Sequence, residues 1–235
     1  MIRLDKFLCE MEAGTRSQVK DMIKKGMVTV NDEVIKKADY KFDETKATVC
    51  LQGKILEYQK FYYYMLNKPA GVVSATEDNF DETVLDLLKD AAGKNLFPVG
   101  RLDKDTEGLL LITNDGELSH KLLSPKKHIP KTYLVDTVRD VTEEMTAQLE
   151  KGVDIGEEKL TLPAKVKVTN NRQIHLTITE GKFHQVKRML KAVGNEVSFL
   201  KRLSMGSLIL DANLEKGQYR ALTKEEINNL KYRNI

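Results

Sequence analysis

Residues 100–113 read Gly100-Arg101-Leu102-Asp103-Lys104-Asp105-Thr106-Glu107-Gly108-Leu109-Leu110-Leu111-Ile112-Thr113. The run Leu109–Thr113 is continuously apolar and short, which predicts a central strand buried on both faces. The nine residues before it form a polar segment closed by glycines at both ends. It delivers three carboxylates, Asp103, Asp105 and Glu107, to the head of that strand. Their spacing selects no chemistry. Paired carboxylates serve as acid and base in glycosidases, bind hard metals or supply a single nucleophile, and an Asp also caps an ordinary turn.

Working outward, further strands are expected at 62–66, 132–135, 164–169 and 173–179, the last two joined by a hairpin turn at Asn170-Asn171. Helices are expected at 82–91, 118–123, 142–151 and 184–193. Strands and helices interleave without a regular βαβ period, so the fold class is α+β with a mostly antiparallel mixed sheet flanked by helices. The first sixty residues read differently. Leu4, Phe7, Leu8 and Met11 make one amphipathic stripe. Thr15 with Gln18 three residues on is a capping-box start for a second helix, whose apolar face is Val19, Met22 and Ile23. Strands at 27–30, 33–35 and 47–51 follow. A linker near residues 57–60 divides a unit of residues 1–58 from one of 59–235.

Hydrophobic residues are 41% and charged residues 31% of the 235, the balance of a soluble globular chain. No apolar run approaches the roughly 20 residues of a membrane span, and no signal-peptide core is present. Cys9 and Cys50 fit no paired ligand spacing, so no metal site is expected. The net charge of +3 decides little; the distribution matters more. Arg16, Lys20 and Lys24 recur every four residues on one helix face. Lys121, Lys126, Lys127 and Lys131 flank Tyr133, and Lys182, Lys187, Arg188, Lys191, Lys201 and Arg202 surround a later motif.

Two resemblances organise these motifs. Arg3–Leu8, Gly14–Gln18 and Lys25–Asn31 resemble the small RNA-binding domain of ribosomal protein S-four type. Gly100-Arg101-Leu102-Asp103 with Thr106, Gly108–Leu111 and Thr113-Asn114-Asp115-Gly116 resembles the signature of pseudouridine synthases, in particular the branch that modifies small-subunit ribosomal RNA. Leu66–Val72, Lys131-Thr132-Tyr133, Glu180–Met189 and the tail from Leu203 through Arg220-Ala221-Leu222 agree in the family's order.

The resemblance implies an isomerase that breaks the bond from ribose to a uracil nitrogen and rejoins the base through carbon 5, after taking it out of the stack. It implies Asp103 as the catalytic carboxylate, acting on the sugar or adding to carbon 6 of the base. A neighbouring cation favours an ionised carboxylate; the family position for it is Lys187, with Arg188 one step away. Tyr133 is expected to stack on the uracil, Arg101 to bind phosphate or brace the loop, and Arg16, Lys20 and Lys24 to contact RNA phosphates. Asp105 and Glu107 are expected to shape the loop, and His184 to be structural or to lie beside the substrate. The implied setting is a cytoplasmic monomer, without cofactor and without membrane, acting on 16S ribosomal RNA or a small-subunit intermediate. A large-subunit target or a non-catalytic assembly factor are the alternatives.

Overall fold

A computed structural model describes residues 1–56 and 58–232. Residue 57, where the linker is expected, and residues 233–235 of the second expected unit lie outside it. The chain divides into two compact units, one of Met1–Lys60 and one from Phe61 onward. Among the described residues no helix is long and apolar enough to cross a membrane.

The first unit runs β1 (Ile2–Arg3), α1 (Leu4–Glu10), α2 (Arg16–Lys24), β2 (Val28–Val30), β3 (Glu33–Val34), β4 (Lys41–Phe42), β5 (Val49–Leu51) and β6 (Lys54–Leu56). Thr15 and Gln18 form the reciprocal capping box: the Thr15 hydroxyl accepts from the Gln18 amide, and the Gln18 side chain accepts from the Thr15 amide. Leu4, Phe7, Leu8, Val19 and Ile23 turn inward onto Val28, Val30, Phe42 and Val49, a core built from this unit alone. β2 pairs antiparallel with both β3 and β5, and β5 with β6.

The second unit comprises β7 (Tyr63–Lys68), β8 (Phe97–Pro98), β9 (Glu107–Thr113), α3 (Gly116–Leu123), β10 (Lys131–Thr137), α4 (Glu143–Lys151), β11 (Lys165–Asn170), β12 (Gln173–Ile178), α5 (Gln185–Ala192), β13 (Val197–Met205), β14 (Leu208–Ile209), β15 (Tyr219–Ala221) and α6 (Lys224–Tyr232). Its main sheet runs β11-β12-β10-β13-β9-β7-β15, with β14 on β13 and β8 on β9. Every pairing among these strands is antiparallel except β13 with β9, which touch in parallel over two residue pairs, Lys201 with Glu107 and Arg202 with Gly108. This short parallel junction joins two antiparallel halves. All seven residues of β9 are buried, as its apolar run requires.

The segment expected as a helix at 82–91 holds only a single 3-10 turn, Asp86–Leu88. Its backbone is taken by other partners: Val73 N donates to Glu82 O and Val84 N to Val73 O, both at 2.9 Å. The Asp86 carboxylate accepts from the Thr83 amide and hydroxyl at 2.8 Å each. Such local side-chain bonds compete with helix. Strand β13, which carries Lys201 and Arg202, has no counterpart in the expected elements. Its charged and half-exposed residues hide the period.

Candidate active site

The Asp103 loop is built on a buried lysine. Lys68, at the end of β7, is fully buried, and its ammonium donates to four carbonyls: Thr106 (2.9 Å), Pro69 (3.0 Å), Asp103 (3.1 Å) and Lys104 (3.2 Å). Burial pushes its pKa down to about 8, against the opposing pull of Asp105, Asp103 and Glu107. The Ser74 hydroxyl donates to Leu102 O and accepts from Leu102 N, Thr106 N donates to Asp103 O, and Gly71 N donates to Lys104 O. A loop tied at so many points presents its carboxylate in a fixed place.

The Asp103 carboxylate lies 3.0 Å from Lys187 Nζ and 3.6 Å from His184 Nε2. Lys187 also reaches Asp105 at 2.6 Å. Burial works to lower the Lys187 pKa, but its hydrogen bonds to Asp105 and Asp103 outweigh it and leave the pKa raised. The hydrogen bond from Lys187, opposed by burial, holds Asp105 below the usual carboxylate range. Asp105 thus shares the cation of Asp103. Glu107 is buried and pairs with Lys216 at 2.8 Å.

Asp103, His184 and Lys187 edge a cavity of about 140 Å³ walled also by Arg101 and Tyr133, with Lys131 and Arg202 lining it too. Tyr133 is 8% exposed and stands opposite Arg202 in the β10–β13 register. Arg101 is exposed on the rim. His184 precedes α5 in a left-handed conformation, φ 46°, with the exposed Phe183 ring stacked on it at 3.8 Å. The buried Gln185 frames this turn, donating to Glu180 and accepting from the Lys182 amide.

Arg188, expected beside Lys187 at the substrate, is directed elsewhere. Its guanidinium bonds Glu157 at 2.8 Å and the carbonyls of Phe183 and Ile155, and it does not line the cavity. Successive helical residues point about 100° apart, and one position is enough to turn it away. Arg16, Lys20 and Lys24 are exposed on α2 in the first unit, where Arg16 and Lys20 flank a shallow hollow with Arg3, Asp5 and Lys6.

Part of the long motif around Asp103 is architectural. The Thr113 hydroxyl donates to Tyr62 O, and Asn114 accepts from Tyr62 N. Asp115 caps α3 through Leu118 N and takes the Tyr63 hydroxyl at 2.6 Å. Two cavity residues carry no assigned role in the sequence, Lys131 appearing only in the Lys131-Thr132-Tyr133 motif and a basic cluster and Arg202 only in a basic cluster; both are buried. Only the alternation of β10, which puts Lys131 on the same buried face as Tyr133 and Val135, marks Lys131 out.

Comparison with known proteins agrees with this arrangement. The family model for RNA pseudouridylate synthase matches residues 62–192, and that for the S4 domain matches residues 2–46. A Bacillus subtilis (strain 168) protein named Uncharacterized RNA pseudouridine synthase YtzG is 49% identical, with 97% of each chain covered. Ribosomal small subunit pseudouridine synthase A of Escherichia coli (strain K12) is 43% identical, covering 96% of this chain and 98% of the relative. A solved structure, "Crystal structure of pseudouridylate synthase", superposes with a TM-score of 0.70 at 39% identity, covering 98% of this chain and all of the other. With a matching fold, a carboxylate-bearing cavity and these relatives, the chain belongs to the RNA pseudouridylate synthases, a family of isomerases, and carries an S4 domain ahead of the catalytic one.

Proposed function

We propose that the chain isomerises one uridine of 16S ribosomal RNA to pseudouridine, with Asp103 as the catalytic carboxylate. The observation that carries this reading is the Asp103–Lys187 pair, 3.0 Å apart, at the edge of a cavity walled by Tyr133. Asp103 acts on the ribose or on carbon 6 of the base. Lys187 holds the carboxylate in position beside Asp105, and Tyr133 stacks on the uracil. The chemistry uses only the chain's own groups. Arg101 at the rim meets a backbone phosphate. The S4 unit, bounded near residue 58, anchors the RNA through Arg16, Lys20 and Lys24. The small-subunit target rests on the names of relatives more than 40% identical over nearly the whole chain. A cytoplasmic monomer suits such a substrate.

Mapping pseudouridines in ribosomal RNA from cells with and without the protein tests this. One 16S site is expected to vanish and to return with the wild-type chain but not with Asp103→Asn. A missing site in the large-subunit RNA would overturn the 16S assignment. An unchanged map would overturn the function.

A further inference from the structure

The buried and half-buried cations around the Asp103 loop and its cavity fall into two kinds. Lys68 is saturated by four carbonyls, and Lys187 faces two carboxylates. Lys131 and Arg202 are not provided for in this way. Lys131 is 9% exposed, and its ammonium donates to one carbonyl, Ile129 O, at 3.1 Å. Arg202 is 2% exposed; its Nε donates to Leu109 O at 2.7 Å, while its Nη2 is buried with no hydrogen-bond partner. Among the described residues neither makes an ion pair with a carboxylate. Both line the Asp103 cavity, on adjacent strands flanking Tyr133.

Two like charges buried side by side without a counter-ion are costly, and a well-packed apolar residue on β10 would avoid that cost. Burial, with the Arg202 charge adding to it, pushes the Lys131 pKa down to about 8. A site that holds excess positive charge in a dry place is suited to negative charge that appears there only during the reaction.

On the function proposed above, that charge has a source. When the C1′–N1 bond of the target breaks, its electron pair stays on the base and spreads from N1 to O2 and O4. Carbon 5 then bonds to C1′, carbon 5 gives up its proton, and N1 takes one up, so atoms and charge balance. In the alternative route an Asp103 oxygen adds to carbon 6 as the C5=C6 π pair moves onto carbon 5 and O4; after carbon 5 has bonded C1′ in place of N1, loss of its proton expels the carboxylate from carbon 6 and restores the double bond. Either way the pyrimidine is transiently anionic. We propose that Lys131 and Arg202 form a positive floor in this cavity that stabilises the anionic uracil, Lys131 by direct contact and Arg202 as a fixed charge beside it.

The test uses the full chain in single turnover on a ribosomal RNA fragment holding either uridine or 5-fluorouridine at the target. Fluorine makes the base a more stable anion that needs less help from the protein. Disappearance of the parent nucleoside, read after nuclease digestion, reports bond cleavage in both. Lys131→Met should slow the uridine reaction roughly 100-fold, the order lost with one preorganised donor, with RNA affinity unchanged and a much smaller loss on 5-fluorouridine. Lys131→Arg should recover most of the rate. Removing an unpaired buried charge should not lower the melting temperature; if the Met variant misfolds, Lys131→Gln takes its place. Equal losses on both substrates, a loss confined to RNA affinity, or no loss at all would overturn the floor. A wild-type chain that forms no pseudouridine would instead overturn the function beneath it.

Discussion

Lys187 holds two carboxylates of unequal exposure, Asp103 at 26% and Asp105 at 72%. Position therefore separates acids that spacing alone leaves equivalent. Asp103 faces the cavity, Asp105 lies outside on the shared cation, and Glu107 is buried on Lys216. At the same scale Tyr133 offers a clean contrast. If its ring stacks on the base, Tyr133→Phe keeps most of the turnover and Tyr133→Leu loses it, since stacking is worth about 1–3 kcal/mol per base. Equal rates for the two variants would remove stacking as its role. Lys131 gives a pH dependence. It is charged below about 8, so kcat/KM should fall as pH rises through that value. The other charged or titratable groups on this cavity are Arg202 from β13, Tyr133 from β10, Arg101 and Asp103 from the loop, and Lys182, His184 and Lys187 around the start of α5. Lys131→Arg should push the alkaline limb upward, which a titration at any of the others would not do.

Among the elements, β9 and β13 approach each other closely at their junction. Gly108 sits at φ +100°, and a Cβ there would lie 2.3 Å from Arg202 O. Gly108→Ala therefore meets backbone strain and a clash with backbone together. A loss of about 2–5 kcal/mol in denaturant unfolding is expected, with activity lost through displacement of Arg202. The α1–α2 pair was legible because a 3.6-residue stripe and a capping box are both local. The β9 strand and the β11–β12 hairpin were legible for similar reasons. Elements were not legible where local side-chain bonds compete with helix, as those of Thr83 and Asp86 do within 82–91, or where a strand carries charge on a half-exposed face, as β13 does. In the site, Asp103, Tyr133 and Lys187 could be named from their motifs. The alternation along β10 points to Lys131, but the burial of Arg202 beside it depends on pairing between strands distant in sequence, which no local pattern encodes.

For the whole molecule, the cores predict modularity. The hydrophobic cluster of the first unit lies within residues 2–58, and the two clusters of the second draw on residues from Phe61 onward. Deleting residues 1–60 should leave a folded catalytic unit with the loss falling on RNA affinity; an insoluble fragment would contradict separate cores. If Arg16, Lys20 and Lys24 neutralise phosphates, replacing all three by Gln should flatten the slope of log affinity against log salt by roughly 2–3 units. An unchanged slope would take α2 off the RNA. The four-carbonyl bond of Lys68 has a consequence of another kind. It ties the Asp103 loop to β7, a strand whose six residues are all buried, so loop and strand should open as one cooperative unit. The amide protons of Gly71 and Thr106, bonded to Lys104 and Asp103 carbonyls, should then exchange with deuterium as slowly as those of β7. The stretch bearing Asp103 would be among the last parts of this chain to breathe.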